Sequence, residues 1–125
     1  MNFHGKHATL DIKNFVVDSK VGGEFIFDLM TQSLELSTCR QVHKKLVLLG
    51  LEGESPPGFT SVVLIDESHI TAHCYSDRGW LAIDVFTCGT NSSPVDMIDF
   101  IFQNIQHHYP DVVVAQRKEI NRFPC

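Results

Sequence analysis

The chain has 125 residues, enough for one domain that buries a core of its own without staples. Its hydrophobic fraction of 43% excludes a disordered chain by composition. Ten basic against fifteen acidic residues give a net charge of −5, which argues against a nucleic-acid partner and mildly favours a cationic ligand.

His7 to Val16 reads as the first strand. Glu24 to Leu36 reads as a helix, with Phe27, Met30 and Leu34 on one face at helical spacing. Gln41 to Leu49 is apolar and strand-like. Gly50 to Gly58 carries glycines, the adjacent Pro56 and Pro57, and the acids Glu52 and Glu54, the composition of an exposed loop. Thr60 to Ile65 (TSVVLI) is rich in β-branched residues and predicts a strand. His69 to Tyr75 and Trp80 to Thr87 predict two more, joined as a hairpin by the Ser76–Gly79 turn. Ser93 can cap a second helix, with Pro94 at the first helical position and Asp96 three residues after the cap. Val95, Ile98, Phe102 and Ile105 form its apolar stripe. Asp111 to Ala115 reads as a last strand.

The order β-α-β-β-β-β-α-β predicts an α+β fold. The expectation is a single-domain, two-layer sandwich, with a mainly antiparallel sheet and two helices on one face. The second sheet face is then left bare, and a bare apolar face calls for a partner, so the chain is expected to form a homodimer through its sheet faces.

The cysteines Cys39, Cys74, Cys88 and Cys125 form no CxxC pair, and the opening MNFHGKHATLD lacks the apolar core of a signal peptide. Both point to free thiols and a cytoplasmic location. No apolar run approaches the roughly 20 residues that span a bilayer, so no membrane partner is expected.

Chemistry concentrates between Asp66 and Gly89, DESHITAHCYSDRGWLAIDVFTCG. His69 and His73 share a strand face, but the neighbouring Cys74 points to the other, and no fourth ligand has a recognisable spacing. A zinc site is therefore not expected. Asp84 lies in an apolar strand, where a lone carboxylate is costly, so it requires a fixed partner. Taken singly, Ser68 reads as a polar strand opener, His73 as a hydrogen-bonded strand histidine, and Cys88 as a small buried hydrophobe.

Together these residues resemble the short prokaryotic type of the pyruvoyl-dependent S-adenosylmethionine decarboxylase family. The matching pieces are Glu67-Ser68-His69, His73, and Ala82-Ile83-Asp84-Val85-Phe86-Thr87-Cys88-Gly89, with Gly5-Lys6-His7 fitting the family's opening strand. The resemblance follows nearly the whole chain in order and length and is dense only from Gly58 to Gly89.

It implies self-cleavage between Glu67 and Ser68 into chains 1–67 and 68–125, with Ser68 becoming a pyruvoyl cofactor. The resulting ketone is an electron sink for decarboxylating an amino-acid substrate, here S-adenosylmethionine on the route to spermidine. His73 matches the histidine that moves a proton during processing, and Cys88 the cysteine that returns a proton to the substrate carbon. Thr60 stands where the family usually has a serine that holds the processing intermediate. Lys45 falls where an aromatic residue often stacks on adenine, and Asp77 where a longer acid grips the ribose. These departures leave arginine or ornithine as alternative substrates, and a non-catalytic regulatory homologue as a further alternative.

Overall fold

A computed structural model describes residues 3–37, 39–88 and 93–124. Six strands, β1 (Phe3–Lys13), β2 (Gln41–Leu49), β3 (Gly58–Ile65), β4 (Ser68–Tyr75), β5 (Trp80–Thr87) and β6 (Val113–Pro124), form one sheet in the order β2-β3-β4-β5-β1-β6. Every neighbouring pair is antiparallel. Helices α1 (Ser19–Ser33) and α2 (Pro94–His108) pack on one face, giving the expected two-layer α+β architecture. Among the described residues no helix is long and apolar enough to cross a membrane.

The period of two along the central strands decides which residues meet the helices. Val63 and Ile65 of β3, Ile70 and Ala72 of β4, and Ile83 and Val85 of β5 are buried on the helix side. They pack against Ile26 and Met30 of α1 and against Ile98 and Ile101 of α2. The alternate residues of the same strands face away from both helices. Gly23 lets α1 lie close over β2 and β3, because a Cβ there would sit 3.2–3.4 Å from Leu48, Leu46 and Phe59.

Several boundaries differ from the sequence reading. β1 starts at Phe3 and stops at Lys13, because Asn14 turns the chain with φ 64°, a conformation Asn tolerates better than most residues. α1 starts at Ser19, not Glu24. The Asp18 side chain caps it by accepting from the N–H groups of Lys20 and Val21, both at 3.1 Å. The last turn, Leu34–Leu36, is a 3₁₀ helix. The α1 stripe is centred on Ile26, Leu29 and Met30, leaving Phe27 and Leu34 half-buried. The buried face of α2 likewise uses Met97, Ile98, Ile101 and Ile105, with Val95 and Phe102 at its margin.

The largest difference is β6, which runs to Pro124 where the sequence reading stopped at Ala115. It pairs along almost the whole of β1. As an edge strand it takes its stability from backbone hydrogen bonds and carries the charged residues such edges favour, so it shows no apolar alternation.

Candidate active site

β3 and β4 are joined by the two-residue turn Asp66–Glu67, with Ile65 paired to Ser68. Arg40 donates to Asp66 at 2.8 Å, tying the turn to the segment before β2. Ser68 opens β4 and is buried, and its Oγ accepts a hydrogen bond from the Cys88 backbone N–H at 3.1 Å. The end of β5 thus holds the Ser68 hydroxyl directly after the turn. A hydrogen bond with Glu67, with burial added, pushes the Cys88 thiol above the usual cysteine range, while its contact with Ser68 works in the opposite sense. At neutral pH Cys88 keeps its proton. Glu67, Ser68 and Cys88 therefore form one group. Gly89, which ends the motif, lies outside the described residues.

Thr60 and His73 form a second group. They are register partners on β3 and β4, and Thr60 Oγ1 lies 3.1 Å from His73 Nδ1. Ser68 and His73 are five positions apart, so they point to opposite faces of the sheet. At about 3.4 Å per residue they are separated by about 17 Å along β4. His73 is exposed on the face the helices leave bare. Lys45 points to that same face from β2, beside Val62. Asp77 sits in the β4–β5 turn, at the opposite end of β4 from Ser68. Cys74 is buried on the helix side, away from His69 and His73; its burial, with nearby Asp77, pushes its thiol up to about 12.

A third cluster lies beside the Glu67–Ser68 bond, on the bare face. Asp84 of β5 takes a hydrogen bond from His69 Nε2 at 2.7 Å on one carboxylate oxygen and one from His7 Nε2 on the other. Arg122 Nη1 lies 3.2 Å from His7 Nδ1. Arginine only donates, so His7 Nδ1 is bare and the His7 proton sits on Nε2, facing Asp84. Burial alone would raise the Asp84 carboxyl, but the hydrogen bonds from His69 and His7 outweigh it and hold Asp84 below the usual carboxylate range. Phe86 stacks on His69 with ring centres 5.8 Å apart, and the Arg122 guanidinium lies 5.6 Å from the Phe86 ring centre. An open pocket of about 540 Å³ brings His7, His69, Phe86 and Arg122 together with Glu67 and Ser68.

Asp84 therefore has the partners its position requires. Arg122 gave no signal in the sequence, because it lies on the edge strand that carries no apolar alternation.

The family model described as S-adenosylmethionine decarboxylase matches residues 6–118. The chain belongs to the S-adenosylmethionine decarboxylase family. An S-adenosylmethionine decarboxylase proenzyme from Caldanaerobacter subterraneus subsp. tengcongensis is 33% identical over 103 residues, covering 81% of this chain and 77% of that protein. The proenzyme from Thermococcus onnurineus is 40% identical over 63 residues, 50% of this chain and 45% of the relative. The chain thus matches a little under half the length of such archaeal relatives. An adenosylmethionine decarboxylase structure from Aquifex aeolicus superposes with TM-score 0.73 at 22% identity, covering 100% of this chain and 95% of that one, and so shares the fold.

Proposed function

We infer that the protein is a decarboxylase of S-adenosylmethionine that makes a pyruvoyl group from its own Ser68. The observation that carries this reading is the buried Ser68 directly after the Asp66–Glu67 turn, its Oγ fixed by the Cys88 N–H, in a chain of this family. The donor set fits such a group: the hydroxyl is oriented by an amide, and the adjacent thiol holds a proton and adds no fixed charge.

In the processing step Ser68 Oγ attacks the Glu67 carbonyl carbon and the peptide C–N bond breaks, leaving an ester and a free Ser68 amine. A base removes the Ser68 α-proton, and the Cβ–Oγ bond breaks with Glu67 departing as a carboxylate. Hydrolysis of the resulting dehydroalanine releases ammonia. The pyruvoyl ketone then supplies the electron sink that no ordinary side chain offers. Cys88 returns a proton from Sγ to the substrate carbon after carbon dioxide leaves. Product of this reaction would serve as the aminopropyl donor in spermidine synthesis.

His73 suits the α-proton step, with Thr60 orienting its ring, but proton transfer needs contact at about 3 Å and the two groups lie about 17 Å apart in one chain. A homodimer resolves the distance. The helices cover one sheet face only, and Val47, Leu64, Tyr75, Trp80 and Ile120 stand exposed on the other. Two polar clusters of that face are already paired internally, Asp84 with two histidines and Thr60 with His73, which lowers the cost of burying them. An isologous two-fold near Thr71 would set the partner subunit's His73 over the His69 end of β4, beside the Ser68 pocket. Asp77 would then approach the pocket from the partner to bind substrate, whereas Lys45, level with Thr71 and two strands away on β2, would stay beside the two-fold. Cys39, Cys74 and Cys88 form no disulfide among the described residues, which suits a reducing cytoplasm.

The test is release of label from carboxyl-labelled S-adenosylmethionine, arginine and ornithine. Release from S-adenosylmethionine is expected. Release from arginine or ornithine alone would reassign the substrate, and release from none would overturn the decarboxylase reading.

A further inference from the structure

The pocket beside Ser68 contains two histidines, and their hydrogen bonds make them chemically different. His7 uses both ring nitrogens, one toward Arg122 and one toward Asp84. Among the described residues His69 uses only Nε2. An ionised carboxylate only accepts, so the contact with Asp84 holds the His69 proton on Nε2 and leaves a lone pair on Nδ1. Among the described residues Nδ1 has no partner, while the ring lines the pocket that holds the Glu67–Ser68 bond. The order Arg122–His7–Asp84–His69 fixes which nitrogen stays basic. A carboxylate behind one imidazole nitrogen also stabilises the positive charge the ring acquires when the other takes a proton.

We propose that His69 is the base that takes a proton from the α-ammonium of the incoming amino-acid substrate. This rests on the decarboxylase reading above. Such a substrate arrives protonated, with no lone pair on nitrogen, and cannot attack a ketone until one N–H bond is broken. The proton passes to His69 Nδ1, the electron pair stays on nitrogen, and the imidazolium charge faces Asp84. Asp84, His7 and Arg122 are positioning residues. Other charged groups near His69 offer no equivalent. Asp66 is paired with Arg40, Glu67 is engaged with Cys88 and as a carboxylate is a far weaker base than an imidazole, and the neighbours on β3 and β5, Leu64 and Phe86, are apolar.

The experiment compares wild type and His69→Gln after processing, with two amines as probes. Phenylhydrazine is neutral at pH 7 and needs no base; S-adenosylmethionine does. The readouts are cleavage by intact mass, the rate of hydrazone formation, and the rate at which cyanoborohydride traps a covalent substrate adduct from pH 6 to 9. The variant should cleave and react with phenylhydrazine at the wild-type rate. It should trap substrate about 10-fold more slowly at pH 7, since roughly a tenth of an α-amine with a pKa near 8 is already neutral there, with the gap widening toward pH 6 and closing by pH 9. Equal trapping rates in wild type and variant, or equal losses with both amines, would overturn the proposal. Wild type that never cleaves or never reacts with phenylhydrazine would overturn the decarboxylase reading and this proposal with it. If His69→Gln does not fold, Asp84→Asn gives the same comparison, with slower trapping of substrate and unchanged hydrazone formation expected. Unchanged trapping in Asp84→Asn would then refute the proposal.

Discussion

If His73 serves the Ser68 of its partner, two inactive chains should repair one another. Ser68→Ala lacks the nucleophile, and His73→Ala lacks the base. Within one chain the two groups stand on opposite sheet faces about 17 Å apart, nearly six times the roughly 3 Å reach of a proton transfer. A His73→Ala homodimer should therefore process slowly or stall at the ester, and a Ser68→Ala homodimer not at all. In a mixed dimer the His73→Ala chain keeps its Ser68 and meets the partner subunit's His73, so that chain should be cut. With equal expression and random pairing, about half of the His73→Ala chains find such a partner. Co-expression with two different affinity tags, followed by intact-mass analysis of each chain, reads that fraction directly. Cleavage of the His73→Ala chain no greater in the mixture than alone would refute an action across the dimer.

Other consequences concern single residues. Cys88→Ala should still be cut but lose about a hundred-fold or more in turnover, measured as carbon dioxide release per processed chain; normal turnover would make Cys88 a packing residue. Asp84 titrates below its ordinary value when folded, so it stabilises the fold above the unfolded pKa near 4, and that contribution fades as pH falls through the folded value. The stability gap between wild type and Asp84→Asn, from urea melts, should shrink as pH drops from about 6 to about 3; a gap that widens would reverse the assignment. Gly58→Ala would put a Cβ 1.9 Å from the Cys74 carbonyl oxygen, a backbone contact with little room to yield. It should cost about 3 kcal/mol or more in urea melts, with an unchanged midpoint counting against the β3–β4 register.

The central meander was legible because β3, β4 and β5 alternate apolar and polar residues across one buried face. The start of α1 was hidden by Gly22 and Gly23, which weaken a helix pattern that the Asp18 cap and the packing of Gly23 against β2 and β3 sustain. β6 was hidden because its ladder lies in the backbone. In the site, the family resemblance joined Ser68 to Cys88, and burial chemistry required a partner for Asp84. It did not name His7, His69 or Arg122 as that partner network, because these lie on β1, β4 and β6 and meet only when the sheet assembles. The separation of His73 from Ser68 was available in principle: an odd spacing along a strand places two residues on opposite faces.

A chain that makes a pyruvoyl group from Ser68 must first cut itself between Glu67 and Ser68. Intact-mass analysis of the purified protein, with and without phenylhydrazine, tests this most directly. The expected result is two chains, 1–67 and 68–125, the second gaining one hydrazone and neither appearing in Ser68→Ala. A single uncut chain, or a 68–125 fragment with a free amine at its N-terminus, would contradict it.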